Sequence, residues 1–187
     1  MEAFLVALSA VAIAEVGDRT MLLALMLVCC FRRPWAVLGG MVVSTLVNHL
    51  LAGIVGILLA KWITPRLLDG VVAVSLIGMA GWTLIPDKEG EVVDCSGRNA
   101  FFTTLTMFFL AEIGDKTEIA TTALAAAYHN LWAVVAGSTL GLVLANTPVI
   151  FLGNAFATRL PLKTIRIAAA VLFAVLAVVF AIRAIMG

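Results

Sequence analysis

The chain has 187 residues, of which 63% are hydrophobic and 12% are charged, and its formal net charge is +1. So few charged residues cannot cover the surface of a soluble domain, where about 25% is usual. The near-neutral balance also gives no strong case for nucleic-acid binding. We therefore predict an all-α protein embedded in a lipid bilayer, without a nucleic-acid partner.

Long apolar runs and the breaks between them predict six transmembrane helices. The first is expected to end at the Arg32-Arg33-Pro34 break and the second at Lys61. A polar segment over residues 86–99 follows the third helix and is predicted to be a cytoplasmic linker. The six predicted helices cover residues 3–30, 36–60, 68–85, 100–128, 132–157 and 164–186.

The two halves of the chain are related by an internal duplication at an offset of 97 positions. Residues 14–20 read Ala-Glu-Val-Gly-Asp-Arg-Thr, and residues 111–117 read Ala-Glu-Ile-Gly-Asp-Lys-Thr. Each half contains three predicted helices, so the second must enter the membrane upside down, as in inverted-repeat transporters. We predict one three-helix repeat over residues 1–85 and a second over residues 100–187.

The basic residues predict the orientation in the membrane. Seven Lys and Arg residues lie on the side of the loops joining helices 1–2, 3–4 and 5–6, and three lie on the opposite side. Because basic residues are retained in the cytoplasm, the first side is predicted to be cytoplasmic and both termini to lie outside. The three cysteines are predicted to be packing residues or free thiols.

Each motif places two carboxylates inside an apolar segment, with a glycine between them. On a helix, residues three apart share one face, and the glycine permits a departure from regular helix. A carboxylate near the bilayer centre costs about 3 kcal/mol on insertion scales, so such residues mark an ion or proton pathway. We predict a metal site in the middle of the membrane, formed by Glu15, Asp18, Glu112 and Asp115.

The charges of the two motifs favour a divalent cation. Four carboxylates and the two adjacent basic residues carry a net charge of −2. Oxygen ligands without cysteine suit Mg²⁺, Ca²⁺ or Mn²⁺. Mutual repulsion in the empty site is expected to favour proton uptake, with release on metal binding. Further residues that could line the site or its pathway are Arg19, Thr20, Asn48, His49, Lys116, Thr117, Glu118 and Asn146.

Several of these additional residues have an ordinary structural alternative. The hydroxyls of Thr20 and Thr117 could equally bond the backbone of their own helix. Glu118 could be a proton-relay group or a group at the mouth of the cavity. His49, which aligns with Asn146 at the repeat offset, could line the site or simply pack.

Paired Glu-φ-Gly-Asp-[Lys/Arg]-[Thr/Ser] motifs, one in each half, resemble the family of cation transporters typified by Golgi transmembrane protein 165 and bacterial manganese exporters of the MneA type. The resemblance covers essentially the whole chain. It implies secondary transport of Mn²⁺, or also Ca²⁺, in exchange for H⁺, with the ion held by the two motifs. It also implies a bacterial inner membrane protein with no resident cofactor. Asn146 stands where many bacterial relatives have Asp, which would make this site less acidic.

Two other classes of function are weighed against this one. An exporter of amino acids or other small organic cations would need a bulky pocket, and the motif helices offer little beyond Phe108 and Phe109. An intramembrane protease would need a catalytic arrangement that the sequence lacks, so we predict no enzymatic activity. Two repeats in one chain can complete a pathway as a monomer, and the sequence also allows a homo-oligomer.

Overall fold

The computed structural model describes residues 1–85, 99–153 and 161–186. These parts of the chain are all-helical, as predicted, and four of their helices (α3, α4, α7 and α8 below) are long and apolar enough to cross a membrane. The eight helices are α1 (Glu2–Glu15), α2 (Arg19–Phe31), α3 (Pro34–Ala60), α4 (Pro65–Thr83), α5 (Ala100–Glu112), α6 (Lys116–Tyr128), α7 (Leu131–Leu152) and α8 (Leu162–Met186).

The two segments that carry the motifs are interrupted helices. A short break separates α1 from α2, and another separates α5 from α6. Gly17 and Gly114 occupy these breaks with φ of +82° and +72°, a conformation that is costly for a residue with a Cβ. The prediction of continuous helices over residues 3–30 and 100–128 is therefore wrong, because each helix stops at the motif glycine.

Other helix ends follow local signals. Arg32 and His129, which are related by the repeat offset, end α2 and α6 in the left-handed conformation. Helix α4 begins at Pro65, before the predicted start at residue 68, since proline is well tolerated in the first turn. The predicted linker over residues 86–99 lies outside the described residues, apart from Asn99.

The helix that precedes the motif glycine in each half packs against a long helix of the other half. Helix α5 lies on α3, where a Cβ at Gly40 would come within 2.5 Å of the Phe101 carbonyl oxygen. Helix α1 lies on α7 in the same way, with Gly137 against the carbonyl oxygen of Phe4. Both members of one contact are offset by 97 from those of the other. Small residues thus allow close approach of backbones between the halves.

Helices α4 and α8 pack against each other beside this arrangement. Arg66 fastens the start of α4 to the end of α8, donating to the carbonyl oxygens of Ala184 at 2.8 Å and Ile185 at 3.1 Å. The outward faces of the long helices carry exposed apolar side chains, including Leu51 and Val74. Such a surface is typical of contact with lipid.

The cysteines depart from the sequence prediction. Cys29 is exposed and carries a free thiol, as expected. Cys30 is disulfide-bonded, so the prediction of packing residues or free thiols is wrong for this residue. Cys95 lies outside the described residues.

Candidate ion-binding site

Three buried carboxylates meet where the two helix breaks face each other. Glu15 is the last residue of α1, and Asp18 and Asp115 immediately precede α2 and α6. One oxygen from each of these side chains lies within 4.8 Å of the others. All three residues are at most 1% exposed. We call this cluster the acidic triad; its spacing is suitable for one cation bound by all three carboxylates.

The first turns of α2 and α6 add a favourable field to this cluster. Asp18 and Asp115 occupy the N-cap positions, where unpaired backbone amides and the helix dipole favour negative charge. A continuous helix would have no such ends in the middle of the bundle. The breaks at the glycines therefore create two positively polarised helix ends that face the triad.

Glu112, the fourth predicted ligand, is held apart by α3. Thr45 Oγ1 donates to Glu112 Oε1 at 2.5 Å, and Asn48 Nδ2 donates to Oε2 at 2.9 Å. The side chain is buried at 1% exposure, but it does not belong to the metal-compatible group found among the described residues. The four predicted carboxylates thus divide into a triad and one separately bonded glutamate.

Glu15 also has an amide partner from the other half. Asn146 Nδ2, on α7, donates to Glu15 Oε1 at 3.1 Å, and Thr20 Oγ1 donates to the same oxygen. Glu15 Oε2 and Asn146 Oδ1 are buried without a hydrogen-bond partner among the described residues. An oxygen from each side chain therefore remains available to a ligand.

The two basic residues of the motifs form ion pairs between the halves. Lys116 Nζ lies 2.7 Å from Asp18 Oδ1, and Arg19 Nη2 lies 3.2 Å from Asp115 Oδ1. The Lys116 side chain is 3% exposed, whereas that of Arg19 is 42% exposed. Arg19 also donates to the carbonyl oxygen of Ala111 at 2.7 Å, near the end of α5. Lys116 therefore lies inside the site and Arg19 at its edge.

Glu118 reaches back to the second break. Its Oε2 accepts a hydrogen bond from the Gly114 amide at 2.5 Å. Met21 is the residue at the matching position, and its sulfur lies 3.4 Å from the Gly17 amide. Thr117 Oγ1 donates to Asp115 Oδ2 at 3.3 Å, so this threonine bonds a motif carboxylate.

His49 is buried where α3 meets α7, and it contacts Thr139 of α7 rather than a motif carboxylate. Its Nδ1 lies 3.4 Å from Thr139 Oγ1, and its Nε2 has no hydrogen-bond partner in the described parts of the chain. Sequence reasoning instead missed Thr45 as a hydrogen-bond partner of Glu112. Its position three residues before Asn48 places both on one face of α3, a signal that could have identified it.

The two breaks differ in what covers them. A Cβ at Gly17 would lie 2.6 Å from Leu162 Cδ2, at the start of α8. The same atom at Gly114 would have no neighbour within 4 Å among the described residues. Gly17 is buried and Gly114 is exposed.

Comparisons with known proteins agree with these features. The family model described as "Divalent cation/proton antiporter GDT1" matches residues 3–91 and 100–187. A Vibrio cholerae protein named "Putative manganese exporter" is 42% identical over 179 residues, covering 95% of this chain and 89% of its own length. A GDT1-like protein of Synechocystis is 28% identical over 205 residues, covering 96% of both chains.

A more distant relative matches only part of the chain. The Saccharomyces cerevisiae protein named "Divalent cation/proton antiporter GDT1" is 32% identical over 78 residues, which cover 42% of this chain and 28% of its own length. No solved structure matches the chain significantly.

Proposed function

Since the chain belongs to the GDT1 family of divalent cation/proton antiporters, we propose that it exports Mn²⁺ from the cell in exchange for H⁺. The observation that carries this proposal is the acidic triad of Glu15, Asp18 and Asp115, buried within a multi-pass apolar protein. The relative named as a manganese exporter supports Mn²⁺ as the cargo, and Ca²⁺ is the second candidate. As a member of a transporter family, the chain is not an enzyme.

The triad carries the ligand chemistry that the proposal requires. Its carboxylate oxygens, with the free Oδ1 of Asn146, are ligands suited to Mg²⁺, Ca²⁺ or Mn²⁺. We propose Glu15, Asp18 and Asp115 as direct ligands. Glu112 is proposed as the fourth carboxylate of the site, positioned by its bonds to Thr45 and Asn48.

The same cluster supplies a reason for proton exchange. Three carboxylates within 4.8 Å of one another repel when no divalent cation is present. Protons can relieve this repulsion, and a bound divalent cation displaces them. Metal binding and proton binding then exclude each other at one site, which is what an antiporter needs.

The architecture proposed for this mechanism has six membrane crossings in two inverted repeats. The broken pairs α1–α2 and α5–α6 each count as one crossing, and the four long helices supply the others. Repeat-related glycine contacts between the halves support this arrangement. We propose repeats over residues 1–85 and 100–187, with both termini outside the plasma membrane, on the basis of the seven-to-three excess of basic residues.

The proposal is tested by Mn²⁺ flux into proteoliposomes under an imposed pH gradient. We expect flux to follow the gradient and to be lost in Asp115→Asn. Asp69→Asn is the matched control, because Asp69 is a carboxylate of α4 outside the site. Flux that ignores the gradient would contradict antiport. Transport of an amino acid by the wild type without Mn²⁺ flux would favour the alternative, an exporter of small organic cations.

A further inference from the structure

The basic residues of the two motifs occupy matching places in sequence but different places in the structure. Arg19 and Lys116 each follow a motif aspartate at the repeat offset. Lys116 is buried beside Asp18, with its Nζ 2.7 Å from the carboxylate oxygen. Arg19 is partly exposed and is shared between Asp115 and the Ala111 carbonyl.

The location of Lys116 brings it into conflict with a cation bound to the triad. Divalent cations of this class lie about 2.0–2.6 Å from carboxylate oxygens. A cation bound through Asp18 Oδ1 would then stand at most about 5 Å from the Lys116 ammonium, which is 2.7 Å from the same oxygen. Two like charges this close repel strongly in a buried site.

We propose that Lys116 is an internal counter-cation, which occupies Asp18 in the metal-free protein and leaves it when the divalent cation binds. This inference rests on the proposed function, because it assigns a role within the same site. The ammonium would partly neutralise the buried carboxylates when the carrier is empty. When Lys116 returns to Asp18, its ammonium would compete with the bound cation for that carboxylate. This competition would promote release of the cation.

Lysine is suited to this role and arginine is not. An ammonium is a compact charge on a flexible stem, whereas a guanidinium holds a carboxylate through a rigid fork. Arg19 is also fastened to the backbone of α5 through Ala111, which favours a fixed position. The two motif cations therefore differ in the freedom of movement that the proposed role requires.

The test is equilibrium binding of Mn²⁺ to the purified full-length protein in nanodiscs, measured from the resonance signal of free Mn²⁺. We expect Lys116→Met to bind Mn²⁺ about 10-fold more tightly and to transport it more slowly, since the competing charge is gone. Lys61→Met, which also removes one positive charge but at an exposed residue outside the site, should change the affinity by less than about 3-fold. Equal tightening in both variants would overturn the proposal, because a general field effect would then suffice.

A charge-conserving variant keeps the test decisive if Lys116→Met does not fold. Lys116→Arg retains the charge but holds Asp18 more firmly, so we expect Mn²⁺ binding about 10-fold weaker than in the wild type. Unchanged affinity in this variant, or unchanged or weaker affinity in Lys116→Met, would overturn the role of Lys116. A wild-type protein that does not bind Mn²⁺ would instead overturn the proposed function itself.

Discussion

The two motif regions have nearly the same sequence but different surroundings. In the first, Glu15 and Asp18 both join the acidic triad, and Leu162 covers the glycine between them. In the second, only Asp115 joins the triad, while Glu112 is bonded to α3 and the glycine is uncovered. The duplication therefore supplies the same chemical groups twice, and the packing of the opposite half decides which contacts each group makes.

The largest effect is expected in a cysteine-labelling experiment, which tests whether the two halves are inverted in the membrane. Residues 33 and 130 are related by the repeat offset and are exposed in the turns before α3 and α7. Single cysteines, Arg33→Cys and Asn130→Cys in a background without other cysteines, should react with a membrane-impermeant maleimide from opposite sides. Labelling of both from the same side would contradict inverted repeats.

The same labelling decides the orientation, on which two observations disagree. The basic residues place residue 33 in the cytoplasm and residue 130 outside, so only Asn130→Cys should react in intact cells. The disulfide of Cys30, near the end of α2, is instead typical of an oxidising compartment. We expect the charge bias to hold, and labelling of Arg33→Cys alone in intact cells would reverse the assignment.

Neutral variants of the carboxylates test the division between the triad and Glu112. Asp18→Asn or Glu15→Gln should weaken Mn²⁺ binding by about 100-fold or more, because each removes a charged ligand. Glu112→Gln should weaken it by only about 10-fold, a size typical of groups that support a site. These three variants and Asp115→Asn are each expected to abolish manganese resistance in cells. The measurement is Mn²⁺ affinity, compared with the amount of protein in the membrane.

The amount of each variant in the membrane, compared with its Mn²⁺ affinity, distinguishes a metal site from ion pairs that only stabilise the fold. If the motif carboxylates served only to pair with basic residues, Asp18→Asn would leave Lys116 as a buried charge without this partner. Such a loss typically costs about 3–5 kcal/mol, so abundance should fall before affinity. Normal abundance with normal Mn²⁺ affinity in Asp18→Asn combined with Asp115→Asn would exclude the site altogether.

The sequence allowed the buried carboxylates near the two helix breaks to be singled out, but not their arrangement. The repeated Glu, Gly and Asp identified the carboxylates, because charged groups are rare in apolar spans. The glycines were expected to permit a departure from regular helix, but complete breaks were not predicted, since isolated glycines are common within membrane helices. The ion pair of Arg19 with Asp115 and the bonds from Thr45 and Asn48 to Glu112 depend on how the halves pack. Such contacts between distant segments leave no local pattern in the sequence.

The smallest effects are expected from the glycines in the two breaks. Gly17→Ala and Gly114→Ala both force a Cβ into a left-handed conformation, at a cost of about 1–2 kcal/mol. Gly17→Ala should cost about 1–3 kcal/mol more, because its Cβ would strike Leu162. Thermal unfolding in detergent measures the difference.

A second substitution identifies the cause of that difference. Leu162→Ala should recover part of the stability lost in Gly17→Ala and none of that lost in Gly114→Ala. Contacting residues typically couple by about 0.5–3 kcal/mol, which a double-mutant cycle can resolve. Equal losses in the two glycine variants, or rescue of both, would show that Leu162 does not distinguish the two breaks.

The cover over Gly17 also bears on how a cation could leave the site on either side of the membrane. Alternating access requires two states, and a duplicated chain can reach the second when its halves exchange conformations. The repeat counterpart of Leu162 is Pro65, at the start of α4, which does not cover Gly114 here. In the exchanged state, the start of α4 would lie over Gly114 and Leu162 would leave Gly17. Under the proposed antiport, such an exchange would open the two breaks in turn.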